Sequence, residues 1–177
     1  MSATNVNGKD IILTRRSIRK YKPGVKVTQK QLDYILKAAF TGPNAGNKQP
    51  WEFLIADTEE AKAKILKVHK WCDFLKEASL AVIILGNTDI NADFWVTDCA
   101  IASENIMLAA NALNLGTCLC CGHPIPDIMA GIAQEFELPE NMKLFGHVVI
   151  GEPDEEKEPA LERVDPKKIH YNAYSKM

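Results

Sequence analysis

Arg15-Arg16-Ser17-Ile18-Arg19-Lys20-Tyr21 and Pro43-Asn44-Ala45-Gly46-Asn47-Lys48-Gln49-Pro50-Trp51 are the two stretches on which the reading turns. The first gathers three guanidinium groups and a hydroxyl near the start of the chain. Arginine forks match phosphate oxygens and a serine hydroxyl adds a further donor, so the stretch reads as an anion clamp. The second is an amide-rich loop between an amphipathic helix and a strand. Amides both donate and accept, which suits a neutral ring edge carrying carbonyl and N–H groups. A phosphate clamp and an amide loop in one chain point to a nucleotide-like cofactor.

Outward from these stretches the composition is that of an ordinary globular domain. The 177 residues are 46% hydrophobic and 25% charged, enough for one domain, expected over 1–177, with a sizeable core. A net charge of −2 gives no global field for nucleic acid. The charge is uneven, however. Between Asp10 and Asp33 stand seven Lys or Arg and no acid, and acids dominate from Glu152 to Glu158. Taken alone, the basic run also fits a solvated helix face. No apolar leader core opens the chain, and no stretch reaches the roughly 18–20 apolar residues of a spanning helix. Five cysteines, an odd number, do not make a secreted disulfide framework, so a cytoplasmic setting is expected.

The order reads as alternating helices and strands without repeats. A short helix is expected over Ile11 to Arg19. Thr28, with Gln31 three residues on, forms a capping box for a helix whose Leu32, Ile35, Leu36, Ala39 and Phe40 recur at helical spacing. Gly42-Pro43 stops it. Trp51 to Ala56 reads as a strand, with Trp51 in the core. Thr58 to about Trp71 reads as a helix. Ser79 to Gly86 is a continuous apolar run suited to a strand buried on both faces. Phe94 to Leu115, apolar almost all round, must be buried in a core or against another subunit, and Gly116 is expected to end it. Thr117 to Cys121 is a short strand, Pro124 to Phe136 a helix, and Leu144 to Gly151 a last strand. The tail from Glu152 to Met177 is either disordered or wraps over a partner, and its Ile169, Tyr171 and Tyr174 favour wrapping. There is no G-x-G-x-x-G after a strand and no P-loop pattern, so the usual dinucleotide and nucleoside-triphosphate signals are missing.

These segments together resemble the nitroreductase family of FMN-dependent NAD(P)H oxidoreductases. RRSIRKY is similar to the family's phosphate and ribityl clamp. GPNAGNKQPWEF is similar to its P-S-A-x-N-x-Q-P-W loop. DCAIASENIMLAANALNLGTC resembles its central dimer helix and the turn behind it, and GHPIPD followed by LPENMKLFGHVVIGEP resembles the next helix and strand. The four cover most of the chain in the family's order. The resemblance implies an α+β sandwich with a mixed, mostly antiparallel sheet flanked by helices, and a homodimer with swapped tails and FMN at the subunit interface. It implies ping-pong hydride transfer from NAD(P)H to nitroaromatic, quinone or similar acceptors.

Carried over by residue, Arg15, Ser17 and Arg19 match the positions that hold the FMN phosphate and ribityl chain, with Arg16 beside them. Pro43, Asn44, Ala45 and Asn47 match the loop that reaches the flavin from the other subunit. Asn44 replaces the usual serine, and Gln49 is either a flavin contact or a brace of the loop. Cys121 and Gly122 match the turn whose backbone N–H faces flavin N5, where glycine allows close approach. Arg163 matches a C-terminal basic position that reaches the phosphate. No protein acid or base is expected to be catalytic, because the cofactor carries the chemistry. Asp98 and Glu104 on the apolar helix must pair or cap, and read as structural residues of the dimer. Cys118, Cys120, Cys121 and His123 lack a second ligand pair at zinc-like spacing, and Cys99 and His147 are remote in sequence, so no metal is expected. Two competing readings stand beside the enzyme: a flavin-handling protein of the same fold without nitroreductase activity, and a non-enzymatic dimeric interaction domain.

Overall fold

The computed structural model describes residues 8–174; the first seven and last three residues of the expected domain, including the start read for a leader, lie outside the described residues. The helices are α1 (Gly8–Thr14), α2 (Gln29–Phe40), α3 (Glu59–Val68), α4 (Trp95–Ala112) and α5 (Pro126–Glu135), and the strands are β1 (Trp51–Ala56), β2 (Leu80–Asn87), β3 (Gly116–Cys121) and β4 (Met142–Gly151). The sheet runs β1-β2-β4-β3. All its strand pairs are antiparallel, and the parallel component expected from sequence shrinks to an isolated bridge between Ser17 and Thr117. The α+β class stands.

Strand alternation sorts the core into two layers. Ala81, Ile83 and Leu85 of β2 face a cluster with Ile65 of α3 and with Ile128 and Ile132 of α5. Leu80, Val82 and Ile84 face the other side, against Leu32, Ile35 and Ala39 of α2 and Trp95, Cys99 and Ile106 of α4. The sheet is thus sandwiched, with α4 lying on the same side as α2. Gly86 is where β2 meets α4: a Cβ there would lie 2.3 Å from Trp95 Cε3. A bulge breaks the β2–β4 register, since Ile84 pairs with Gly146 and Leu85 with Leu144, leaving Phe145 as the extra residue.

Several boundaries depart from expectation for identifiable reasons. The helix expected through Arg19 ends at Thr14. Residues beyond it leave helical geometry because Ile18 N–H donates to Thr117 C=O at 2.8 Å, attaching this segment to the outer edge of β3. The helix expected to Trp71 stops at Val68, and Lys70–Lys76 continue as tight 3₁₀ turns. Gly116 does not terminate α4; it is the first residue of β3. The stop is Asn114, at φ 58°, with Leu115 N–H donating to Ala110 C=O at 2.9 Å and Asn114 N–H to Asn111 C=O at 3.0 Å. That is a Schellman ending with asparagine in the left-handed position. The capping box of Thr28 and Gln31 is formed as read.

The start of the tail is held by hydrogen bonds and ion pairs within the chain. It runs back along its own N-terminal segment. Lys22 N–H donates to Glu152 C=O at 3.0 Å and Asp154 N–H to Lys20 C=O at 2.9 Å. Lys22 Nζ meets Glu152 at 2.8 Å, Arg19 N–H donates to the Glu155 carboxylate at 2.5 Å, and Lys157 Nζ donates to Ser17 C=O at 2.7 Å. The basic run and the acidic tail therefore neutralise each other. Tyr21, buried beneath this junction, donates its hydroxyl to Ile18 C=O at 2.7 Å. Beyond Glu158 the chain makes two short 3₁₀ turns and leaves Val164, Tyr171 and Tyr174 exposed.

Two outcomes follow from this packing. Gly86→Ala forces a methyl into Trp95 and is expected to cost about 1–3 kcal/mol in urea unfolding, with both β2 and α4 strained apart. The Glu155 carboxyl is held below the ordinary carboxylate value, first by the Arg19 N–H and then by Lys157. A lowered native value means its contribution is complete above the ordinary carboxylate range and disappears as pH falls through the native value. Exchange protection of the Arg19 amide, corrected for intrinsic rates, is therefore expected to hold at neutral pH and collapse only in acid. Glu155→Gln is expected to lower it at neutral pH as well.

Candidate functional site

The clamp residues converge. Arg15, Arg16, Ser17, Arg19, Lys157 and Arg163 line one cavity of about 230 Å³. Arg163, from the C-terminal tail, joins the others here. Lys157 was not singled out in the sequence; the acidic run around it hid its role. Arg15, Arg16 and Lys157 are each oriented by a partner. Arg15 Nε donates to Glu104 of α4 at 3.0 Å, and Arg16 Nη1 donates to Glu158 C=O. Both ends of the Arg15–Glu104 pair are partly exposed, so the pair sets direction more than it adds stability. The cavity concentrates guanidinium and ammonium donors around a volume suited to a phosphate group.

The amide loop is built by left-handed backbone and by one buried acid. Gly46, Asn47 and Gln49 have φ of 62°, 54° and 53°. Asparagine and glycine tolerate this region; for Gln49 it is a strained position. The loop is held from α4: Ala45 N–H donates to Asp98 Oδ1 at 3.0 Å, and Asn91 Nδ2 reaches the other Asp98 oxygen at 3.4 Å. Asp98 is 1% exposed, so it is a buried carboxylate satisfied by loop donors within its own chain. Asn44 Oδ1 accepts from Gln49 N–H at 2.9 Å, and Gln49 Nε2 donates to Asn47 Oδ1 at 3.1 Å. Gln49 thus braces the loop. Pro43 and Asn47 are exposed, while Asn44 and Ala45 are half-buried. None of these lines the arginine cavity. Trp51 is in the core, as read.

Asp98 and Glu104 are six positions apart on α4. Six residues advance ~9 Å and turn about 240° around a helix, so the loop and the clamp hang from different faces of α4.

The turn after β3 is fixed by the bulge. Gly122 N–H donates to Phe145 C=O at 3.0 Å, and His123 N–H donates to the same oxygen at 2.9 Å. The Gly122 donor, one of two expected to face a flavin, is therefore engaged within the fold. Antiparallel strands alternate the side to which successive N–H groups point. With Gly122 directed at β4, Cys121 N–H points to the outer edge of the sheet. Thr117, in the same phase as Cys121, presents its carbonyl outward to Ile18, which confirms the alternation. The glycine at 122 is required by packing: a Cβ there would lie 2.3 Å from Leu144 Cδ2.

Cys118 and Cys120 point inward and are buried, and Cys121 is exposed, as a strand reading requires. The neighbouring Cys120, and after it His147, draw the Cys72 thiol below its ordinary value, while Cys120 is pushed up by Cys118, Cys72 and burial. His123 stacks edge-on against Trp95, with ring centroids 5.1 Å apart.

Comparison with known proteins gives these features a context. The model of the nitroreductase family matches residues 12–72 and 66–152. A Methanothermobacter thermautotrophicus protein with the provisional name NADH dehydrogenase/NAD(P)H nitroreductase is 37% identical over 163 residues, 91% of this chain and 84% of that one. Among solved structures, one from Parabacteroides distasonis with the same provisional name superposes with a TM-score of 0.90 at 28% identity, covering 94% of this chain and 98% of the other. An FMN-dependent nitroreductase from Clostridium difficile R20291 superposes with a TM-score of 0.84 at 33% identity, covering 93% and 98%. No helix among the described residues is long and apolar enough to cross a membrane. With the Arg15–Tyr21 segment, the amide loop, the central helix and the last strand all inside the matched residues, the chain belongs to the nitroreductase family.

Proposed function

We propose that this protein is an FMN-dependent oxidoreductase that takes hydride from NAD(P)H and delivers it, in ping-pong order, to nitroaromatic, quinone or similar acceptors. The observation that carries the reading is the outer edge of β3. The clamp segment is attached at Thr117, and the outward Cys121 N–H lies four residues further along, ~13 Å at the rise of a strand. An anion cradle and a backbone donor thus share one edge, which fits a ligand with a phosphate at one end and a hydrogen-bonding ring at the other. FMN, when bound, supplies the two-electron ring chemistry.

The chain's own residues bind and orient. Arg15, Arg16, Arg19, Lys157 and Arg163 hold the phosphate, with Ser17 at the ribityl chain. Cys121 N–H is a fixed donor toward the ring and favours negative charge developing there. The cysteine thiol takes no part. Seven residues, 88–94, join β2 to α4, too few for a lid, so the acceptor side is open and tolerant.

The site is completed by a second copy of the chain. The loop residues Pro43, Asn44, Ala45 and Asn47 serve the partner's flavin, because α4 holds them away from the arginine cavity of their own chain. A stripe of α4 carrying Thr97, Ala100, Ile101, Glu104 and Leu108 is not fully covered within the chain, and the exposed tyrosines of the tail offer further apolar surface. Together these form the contact of a homodimer in which the part of each tail beyond Arg163 crosses to the partner. The setting is cytoplasmic.

Four measurements test this. Arg15→Ala and Arg19→Ala are each expected to weaken FMN binding about 10- to 100-fold, the loss of one charge-assisted contact of roughly 1.5–3 kcal/mol; unchanged affinity in both would remove the clamp. Cys121→Ser keeps the backbone donor and is expected to retain most of the rate of flavin reduction by NAD(P)H in stopped flow. Cys121→Pro deletes that N–H without touching the β4 ladder, which an edge strand tolerates, and is expected to slow reduction by about 100-fold. Bound FMN without turnover of either nicotinamide by any acceptor would favour a flavin-handling protein instead. Sedimentation should show a dimer, and a folded FMN-loaded monomer would refute the shared site.

A further inference from the structure

On the sheet face that carries α3 and α5, four side chains from three distant parts of the chain meet. His69 ends α3 and Cys72 follows in the 3₁₀ turns. Cys120 lies on β3 and His147 opposite it on β4, as cross-strand partners. Cross-strand partners bring their side chains together on one face. All four are buried, His147 and Cys72 completely.

Three of the donor atoms are already gathered, and Cys120 approaches them from its register opposite His147. One ligand atom from each of His69, Cys72 and His147 lies within 4.8 Å of the other two. Cys72 Sγ is 3.4 Å from His147 Nε2, close to the edge of a tetrahedron drawn with zinc–sulfur and zinc–nitrogen bonds of about 2.3 and 2.0 Å. The two imidazole rings stand edge to face with centroids 5.0 Å apart. Nδ1 of His69 and Nδ1 of His147 are both buried and find no hydrogen-bond partner among the described residues. Two buried imidazoles with unsatisfied nitrogens beside two thiols are an expensive arrangement for a purely apolar core.

We propose that His69, Cys72, Cys120 and His147 form a structural metal site that binds one zinc ion per chain. Two thiolates and two neutral imidazoles are a soft, tetrahedral donor set of the kind zinc prefers. Two thiolate charges neutralise a divalent ion, so the completed site carries no net charge into the core. The site pins the short segment after α3 to β3 and β4, opposite the sheet face that holds α4. It also departs from the expectation of no metal. Sequence spacing could not show it, because each of the four ligands except the His69–Cys72 pair comes from a different element.

The test is metal analysis of the purified, flavin-loaded protein after exposure to zinc sulfate and desalting, together with zinc X-ray absorption. One equivalent of zinc with a shell of two sulfur and two nitrogen atoms is expected, and chelation is expected to lower the thermal midpoint. Cys72→Ala should lose the stoichiometric zinc. His69→Gln, at the rim of the cluster, gives a second variant if Cys72→Ala folds poorly. Cys99→Ala, a buried cysteine on the other face, should keep it. Zinc well below one equivalent in the folded wild-type protein, a shell of nitrogen and oxygen only, or equal zinc loss in Cys99→Ala would overturn the assignment.

Discussion

The pair of hydrogen bonds from Gly122 N–H and His123 N–H to Phe145 C=O is the contact from which the rest of the site takes its phase. Phe145 is the bulged residue of β4, freed from its ladder with β2. Capturing the turn after β3 there fixes which residues of β3 point inward and which point out. A shift of one residue would exchange the two sets. In the observed phase, Thr117 and Cys121 present backbone groups to the open edge while Cys118 and Cys120 go into the core. One register therefore sets both the edge that receives the clamp segment and the buried cluster on the opposite side.

The clamp is a balance of charge as much as a concentration of it. Five cations around one cavity would repel each other and the folded state would suffer for it. Glu104 from α4 and Glu155 from the tail sit at its margin and hold Arg15, Lys157 and the Arg19 amide in place. The acids orient the donors in the absence of ligand, which reduces the ordering left to be done when an anion enters. The tail is consequently part of the site. It supplies Lys157 and Arg163 and covers the N-terminal segment, so removal of the tail would take both a wall and two donors from the cavity.

Elements whose cause is local were legible in the sequence. The capping box of α2, the β1 strand over Trp51–Ala56 and the all-apolar β2 follow from spacing and burial alone, and the structure has them within a residue. The errors fall where a distant partner decides. Arg15 to Arg19 left the helix because Thr117, a hundred residues away, accepts the Ile18 N–H. The start of the tail meets its own N-terminal segment through Glu152 with Lys22 and Glu155 with the Arg19 N–H, a pairing that composition hinted at and linear reading did not connect. The clamp residues were legible as chemistry, including Arg163. Lys157 was masked by its acidic neighbours. Asp98 and Glu104 were seen to need partners, but the partners, Ala45 N–H and Arg15, belong to the two motifs themselves. The choice between Cys121 and Gly122 as outward donor could come only from register, which no single strand sequence contains.

The central claim is that FMN lies along the outer edge of β3, with its phosphate in the arginine cavity and its ring at the Cys121 N–H. Amide chemical shifts of the flavin-free protein titrated with FMN test this most directly. The account predicts the largest shifts at Ser17, Arg19 and Cys121, and small ones at Cys120 and Gly122, whose N–H groups are committed to β4. Undisturbed amides at residues 15–19 and 121 alongside saturable shifts elsewhere would contradict it.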